Sequence, residues 1–335
     1  MEEQLKNKKI LITGGAGSVG NALIKDLLKY DVSVIRVFDI SENEVHNLKN
    51  NFSGEERLRY LIGDVRDSNR LELAMDGIDI VIHLAAMKHV YACEYNPFEA
   101  VKTNINGLQN VIDCARKENV EKMIFSSTDK AAHPLSVMGI TKLMGEKLVS
   151  LAEHYKGDKR TLFASVRFGN VIGSNGSVIP AFKKQIKEGG PVIINDIDMT
   201  RFVITMPEAV DLILKAIKFV KGGEVFVWKM RALRIPDLAL AMAKRYADGK
   251  EIKMVIKGKG EGEKIHEETM SAEELSRAVE MENLYIIFPI VDHARVRNKY
   301  QDAKEIENPV ISSDMGEFLS QEAIDKLLEK EIDPC

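Results

Sequence analysis

At 335 residues the chain has room for one large domain or a main domain plus a smaller one, and 45% hydrophobic with 29% charged residues describes an ordinary globular protein. A formal net charge of -4, with no basic tail or lysine-arginine block, argues against nucleic acid or an anionic membrane as the main partner, while leaving room for a local anion site. Cys93, Cys114 and Cys335 show no CxxC or metal-ligand spacing, no run approaches the about 18 apolar residues that cross a bilayer, and MEEQLKNKKI lacks an apolar core, so a metal-free cytoplasmic protein is expected.

KKILITG is a short apolar run ending in glycines, and NALIKDLLKY after it has helical spacing. VSVIRVFD then reads as strand, ENEVHNLKNNF as helix, LRYLIGDV as strand, LELAMDG as helix and IDIVIHLAA as strand. A long helix is expected from Pro97 to Asn119, then the strand KMIFSST and the long helix ITKLMGEKLVSLAEHY. Such alternation predicts an α/β fold, a Rossmann-like doubly wound parallel sheet covered on both faces. TLFASVRFGNV adds a strand with a polar exit, after which the rhythm loosens into the loop GSNGSVIP, the helix SVIPAFKKQIKEG and the strand PVIINDIDMTRF with its acidic turn. PEAVDLILKAIKFV and GGEVFVWK, a helix and a strand, are expected to return to the main domain. IPDLALAMAKRYA, KEIKMVIKG and SAEELSRAVEMEN read as helix, strand and amphipathic segment, and roughly the last 40 residues are expected to wrap the surface or meet another subunit. The expected division is a dinucleotide-binding domain over 1–170, with a returning segment near 200–230, and a smaller C-terminal α/β substrate-binding domain over 171–335.

GGAGSVG sets Gly14, Gly17 and Gly20 in the pattern GxxGxxG, directly after a strand and at the opening of a helix. Glycine lets the backbone turn tightly and approach a pyrophosphate, whose charge the amides of the helix start, around Ser18 and Val19, then stabilise. Asp39 ends the second strand, where a carboxylate accepts bonds from the ribose 2'-hydroxyl of NAD and repels the extra phosphate of NADP; the following residues, Ile40 and Ser41, bring no arginine. NAD is therefore expected over NADP, the plain alternative being that Asp39 caps the next helix. Asp64, or the amide beside it at Val65, is placed to contact adenine, and the small Ala85 and Ala86 let a cofactor pass close to the backbone. His83 reads as a packed or hydrogen-bonded strand residue, and Lys88 and His89 lie in the loop at the C-terminal end of the fourth strand, the ligand-binding face of open α/β sheets.

These pieces carry a resemblance. TGGAGSVG, GDVRD, HLAAMKHV, the stretch from Glu94 to Asn104, SSTDKAAHP, MGITK, VRFGNVIGSNGSVIP, DMTRF and GEKIHE run through roughly four-fifths of the chain. The chain resembles an extended short-chain dehydrogenase/reductase and, within that superfamily, the 4,6-dehydratases acting on UDP-N-acetylglucosamine; STDKA and RFGNVxGSxGSVIP are the specific motifs. The resemblance implies removal of hydride from sugar C4, loss of the C5 proton and the C6 hydroxyl, and return of hydride to C6, giving a 4-keto-6-deoxy sugar, with or without inversion at C5. Release of the 5,6-unsaturated sugar, or epimerisation, are alternatives on the same scaffold, and a cofactor-binding regulatory or scaffold protein is an alternative of a different class.

On this resemblance Asp129 is the acid for the C6 oxygen and Lys130 the base at C5. Burial is expected to raise the first pKa and lower the second. Thr128 orients the 4-hydroxyl. The plain alternative is a turn-capping Asp129 beside a solvated Lys130. Where most of the superfamily has tyrosine in YxxxK, this chain has Met138 before Lys142, and a thioether has no proton to exchange. The C4 base is then Lys130 acting twice, Lys142 directly, or Asp129 through a water. Lys142 and Lys88 also stand near the cofactor, with Lys88 and His89 toward the sugar. Glu94 supports the site from behind, and Asn104 holds the main chain near the active helix. Asn170, Ser177 and the amides around GSNGS, including Val178, are expected at the diphosphate, with Arg201 on the diphosphate or uridine side. The family's RxGEK reads here as Gly260 to Lys264 without its arginine; Lys257 or Lys259 supplies charge instead, and Glu263, on the substrate side, is expected to pair with Lys264 and order the lid. A homo-oligomer, dimer or hexamer, is the family expectation.

Overall fold

The computed structural model describes residues 1–174 and 177–332. Its strands are β1 (Lys9–Thr13), β2 (Val34–Asp39), β3 (Leu58–Ile62), β4 (Ile80–His83), β5 (Lys122–Ser126), β6 (Leu162–Arg167) and β7 (Asn170–Val171). β8 (Val192–Ile194), β9 (Thr200–Ile204), β10 (Val225–Trp228), β11 (Arg231–Arg234), β12 (Met254–Ile256), β13 (Ala278–Met281) and β14 (Leu284–Ile287) follow. Nine of them form one sheet in the order β13-β14-β10-β6-β5-β4-β1-β2-β3, parallel from β10 to β3 and closed at the other edge by the antiparallel β13–β14 hairpin.

Strand side chains alternate between two faces, and here both faces are core. Ile10, Ile12, Ile80, Ile82 and Ile124 enter one hydrophobic cluster, while their neighbours Leu11, Val81, Met123 and Phe125 enter another. That accounts for the continuous apolar runs in the sequence. The helix Ser18–Leu27 buries Gly20, Leu23, Ile24 and Leu27, the spacing of one helical stripe against the sheet. Between β1 and β4 the strand order reverses, which opens a crevice beyond their C-terminal ends.

The expected division at residue 170 is not a division in space. β10, β13 and β14 rejoin the large sheet, so the segment 278–287 as well as 225–228 belongs to the main body. A three-stranded sheet, β11-β9-β7, joins the two parts: Phe202, Ile204 and Ala232 face the main core, while Val203 and Leu233 face a third core. That core includes the helices Val178–Lys187, Ile235–Tyr246 and Gln321–Glu331. SAEELSRAVEMEN divides into the short helix Ala272–Leu275 and strand β13, because its last residues pair with β14. The long helix expected over 97–119 is broken: Pro97–Val101 and Gly107–Lys117 are joined by a π turn over Lys102–Asn106. Such a turn inserts a residue into the ladder and re-aims side chains, here placing Asn104 inside. Among the described residues no helix is long and apolar enough to cross a membrane, and no group of His, Cys, Asp or Glu has the makings of a metal site.

Candidate functional site

A cleft of about 800 Å³ runs along the crevice from the glycine turn to the helix Val137–Tyr155. Gly14 has φ +67°, and a Cβ there would stand 2.6 Å from the backbone nitrogen of Ala85, so only glycine fits this crossing of β1 and β4. A Cβ on Gly20 would lie 2.4 Å from the carbonyl oxygen of Gly15, which holds the helix close to the turn. Gly17 is the extended residue before the helix and supplies no side-chain cap, so the backbone start at Ser18 and Val19 faces the cleft. Asp39 accepts from Ala16 N–H and Ser41 N–H, each at 3.1 Å, and lines the cleft. Capping of the next helix falls instead to Ser41, which accepts from Glu44 N–H. Asp64 also lines the cleft, but Arg66 grips its carboxylate and holds its pKa low against the opposing effect of burial; Val65 lies beside it. Ala85, Ala86, Lys88 and His89 continue the wall. Burial lowers the pKa of Lys88. This cradle, with its obligatory glycines and its carboxylate at the end of β2, suits a dinucleotide.

Asn104 is not on the wall. It lies behind, where its Oδ1 accepts from Met87 N–H at 2.8 Å and its Nδ2 donates to Met87 O at 3.0 Å and Thr141 Oγ1 at 2.9 Å. One amide thus ties the 85–89 loop to the lysine-bearing helix. Glu94 accepts from Val137 N–H at 2.6 Å, satisfying a free amide at that helix's start. His83 bonds Thr13 and stacks on Phe125; burial pushes its pKa down to about 3, so it stays neutral.

At the chemistry end, Thr128, Lys130, Met138 and Lys142 line the cleft, whereas Asp129 does not. Thr128 opens a 3-10 turn, Asp129–Ala131, and the turn sends Asp129 inward to complete burial while Lys130 stays 22% exposed. Asp129 Oδ1 receives Thr128 Oγ1 at 3.0 Å and Lys130 Nζ at 3.1 Å, and its Oδ2 is buried without a partner. Burial raises the pKa of Asp129, against the opposing influence of Lys130. Lys130 departs from expectation. Burial disfavours its charge, yet Asp129 and Glu267 together hold its pKa above the ordinary lysine value. It is neither a solvated surface residue nor a ready base, because Glu267 Oε1 lies 3.0 Å from Nζ on top of the Asp129 contact. Lys142 differs: Nζ donates to Ser126 O at 2.8 Å and lies 4.7 Å from the Phe125 ring centre. Burial lowers its pKa to about 8, with Glu146 opposing. Met138 is buried beside Cys93 and Ala100.

On the substrate side, Asn170 and Ser177 line the cleft, and Asn170 Oδ1 and Ser177 Oγ are buried without partners, ready for a ligand. Ser177 precedes the helix Val178–Lys187. Val178 itself packs toward the third core and is off the wall. Asn175 and Gly176 of the expected GSNGS cradle lie outside the described residues, as does Cys335. Arg201 is turned away: it donates to Thr200 O and Ile265 O, and its Nε lies 3.8 Å from Glu267. Lys257 and Lys259 are exposed and off the wall. Glu263 does not pair with Lys264; it accepts from Asn195 Nδ2 at 2.6 Å, while Lys264 donates to Ala132 O and Glu268.

Glu267 is the residue that sequence reasoning passed over, although it ends the quoted GEKIHE. A second buried group, also unread, holds its segment in place. Arg167 bonds Glu146 and Glu274 through its guanidinium and donates to Thr269 O at 2.7 Å.

A dinucleotide cradle at the switch point of a doubly wound sheet, facing a helix that carries lysine four residues after the usual tyrosine position, defines the extended short-chain dehydrogenase/reductase class. The profile of the family described as polysaccharide biosynthesis protein matches residues 10–289, and the chain belongs to that family, in the branch that holds the nucleotide-sugar 4,6-dehydratases. It is 43% identical over 286 residues to a Campylobacter jejuni UDP-N-acetylglucosamine 4,6-dehydratase (inverting), covering 85% of this chain and 84% of that one. A Methanocaldococcus jannaschii protein described as an uncharacterized membrane protein is 44% identical over 330 residues, covering 97% and 96%. The X-ray structure of Pen from Bacillus thuringiensis superposes with a TM-score of 0.91 at 41% identity, covering 97% of this chain and 98% of that one. Rickettsia bellii contributes a relative called UDP-glucose 4-epimerase, 38% identical over 285 residues, covering 84% and 83%.

Proposed function

We propose that the protein catalyses NAD-dependent 4,6-dehydration of UDP-N-acetylglucosamine to a UDP-2-acetamido-2,6-dideoxy-4-keto-hexose, with inversion at C5. The observation that carries this reading is the Asp129–Lys130 contact: an acid and a base joined at 3.1 Å, with Lys130 on the cleft wall next to Thr128. Elimination across C5 and C6 needs both, whereas exchange of configuration at C4 needs no acid at C6. The inverting dehydratase among the relatives supports the substrate.

Gly14, Gly17, Gly20 and the helix start would hold the pyrophosphate, Asp39 the adenosine ribose and Lys142 the nicotinamide side; NAD supplies the acceptance of hydride from C4 and its return to C6. The other steps belong to protein side chains. Thr128 orients the sugar 4-hydroxyl. Lys142 in its free-amine form, its pKa lowered to about 8 and its Nζ seated on Ser126 O, takes the 4-hydroxyl proton that tyrosine would take elsewhere. The proton shared by Lys130 and Asp129 shifts to the carboxylate, leaving an amine for the C5 proton and a carboxylic acid that serves the departing C6 oxygen through Thr128 and Lys130. Ser177 would donate to the diphosphate from its unpartnered hydroxyl, and Asn170 from its amide Nδ2.

A cytoplasmic homo-oligomer completes the proposal, with Tyr91, Tyr95, Phe98, Ile140 and Met144 as exposed apolar residues on neighbouring helices. The test is NMR of the purified protein with UDP-N-acetylglucosamine in D2O. A new C6 methyl signal with deuterium at C5 is expected, and its couplings report the C5 configuration. A vinylic C6 signal would instead mean release of the unsaturated sugar. A C4 epimer with C6 intact would favour the epimerase reading that the Rickettsia relative's name suggests.

A further inference from the structure

Glu267 has no part in the roles above, yet it is the buried acid most closely joined to them. It is 2% exposed, its Oε1 lies 3.0 Å from Lys130 Nζ and 3.8 Å from Arg201 Nε, and its Oε2 is buried without a partner. Burying a carboxylate with one oxygen unsatisfied is costly, so the site keeps it against a stability cost. The charged groups facing this centre come from three elements. Asp129 and Lys130 lie on the turn, Arg201 on β9, and Glu267 with Lys264 on the segment before the helix Ala272–Leu275. Lys264 is itself engaged by Ala132 O and Glu268.

We propose that Glu267 is a positioning residue for Lys130, holding Nζ at the cleft wall and keeping it protonated until Asp129 takes the proton. The transfer runs from Nζ to Oδ1 of Asp129 across 3.1 Å and leaves an amine and a carboxylic acid, with no change in total charge. Glu267 opposes that shift, because its negative charge favours the ammonium. It thereby sets how readily the pair becomes base plus acid. Arg201 in turn favours the ionised form of Glu267, whose pKa lies below the ordinary value: burial works against that shift, and Lys130 and Arg201 outweigh it. The inference rests on the dehydratase reading, since that reaction is what needs a poised acid and base.

Competitive acylation of the full-length protein with acetic anhydride, read at Lys130 by peptide mass spectrometry from about pH 7 to about pH 11, reports the free-amine fraction without turnover. Wild-type Lys130 should become reactive at higher pH than surface lysines. Glu267→Gln keeps the shape and removes the charge, so the Lys130 midpoint should fall by about one unit or more, roughly a tenfold gain in labelling at a fixed pH below it. The falling limb of kcat/KM against pH, where the pair loses its shared proton, should move down with it, and Glu267→Asp should keep the wild-type midpoint. An unchanged midpoint in Glu267→Gln overturns the proposal. So does a wild-type Lys130 that labels as readily as surface lysines near neutrality, a result that needs no variant to fold. If the enzyme uses another sugar nucleotide, the NMR assay fails while the labelling result still decides the role of Glu267.

Discussion

Replacing Arg167 by methionine should destabilise the protein strongly at neutral pH and much less in mild acid. The guanidinium is fully buried between Glu146 and Glu274 and also donates to Thr269 O. Removing one partner of a buried ion pair leaves uncompensated charge and costs about 3–5 kcal/mol. Glu274 gives a second route to the size. Burial works to raise its pKa, but hydrogen bonding and charge from Arg167 overcome this and bring it from 4.5 to about 2. A drop of that extent corresponds to on the order of 3 kcal/mol. A folded-state pKa below the unfolded one means that this stability is present above about pH 4.5 and is lost as pH falls through about 2. In Arg167→Met both carboxylates lose the guanidinium, so the pKa of Glu274 rises and it protonates earlier; acid then relieves the variant before it harms the wild type. Urea unfolding at about pH 7 and about pH 4.5 should show a gap of about 3 kcal/mol or more that narrows on acidification. A gap under about 1 kcal/mol at neutral pH, or one that does not narrow, would refute the reasoning. Thr269 lies two residues beyond Glu267, so turnover should fall in the variant even under conditions where it stays folded.

Gly14→Ala forces a Cβ to 2.6 Å from Ala85 N at a positive φ; NAD affinity measured by calorimetry should fall at least about tenfold, and wild-type affinity would remove the cradle from the binding site. Asn104→Leu strips both main-chain partners of Met87, at about 1–3 kcal/mol for each group left unpaired, so the urea midpoint should drop and an unshifted one would mean that the 85–89 loop does not depend on this amide. Lys142 has a folded-state pKa near 8, below the ordinary 10.5, so folding is opposed by its charging and stability rises as pH goes from about 8 toward 10.5. Lys142→Met should therefore be as stable as wild type or more so, by up to about 3 kcal/mol at neutral pH, while abolishing cofactor reduction by the sugar nucleotide; a variant that still reduces the cofactor at the wild-type rate would take Lys142 out of the C4 step.

The doubly wound sheet was legible because its signals are local. Apolar runs such as LITG and IVIHLAA, with glycines at their ends and helical stripes between them, follow from a strand buried on both faces. What escaped the sequence depends on pairing across distance. The β13–β14 hairpin joins the sheet edge from a stretch whose composition reads equally as helix, and the π turn at Lys102–Asn106 leaves no mark in a helical pattern that continues on both sides. At the site, Met138 and Lys142 reach one wall because four residues separate them on a helix. Asp129, next to a residue on that wall, is turned away by a single 3-10 turn, a rotation that spacing cannot express. Arg201 read as a diphosphate ligand because arginine suits phosphate; in the fold, two carbonyls and Glu267 already occupy it.

The missing tyrosine finds its physical counterpart in the contrast between Lys130 and Lys142, two of the lysines that line the cleft. Lys130 is held between two carboxylates, and its charge is favoured; Lys142 is buried against a carbonyl and an aromatic ring, and its charge is disfavoured. An amine with a pKa near 8 is free in about a tenth of molecules at pH 7 and in most above pH 8, and that free form can take the proton that the proposed reaction leaves without a base when position 138 carries a thioether. An ammonium pinned between acids does the opposite, and becomes a base only when a neighbouring carboxylate takes its proton. Two lysines in one cleft thereby acquire separate roles from their surroundings. Exchanging those surroundings, by Glu267→Gln at one and by removing the Ser126–Lys142 geometry at the other, should move the two pH dependences independently.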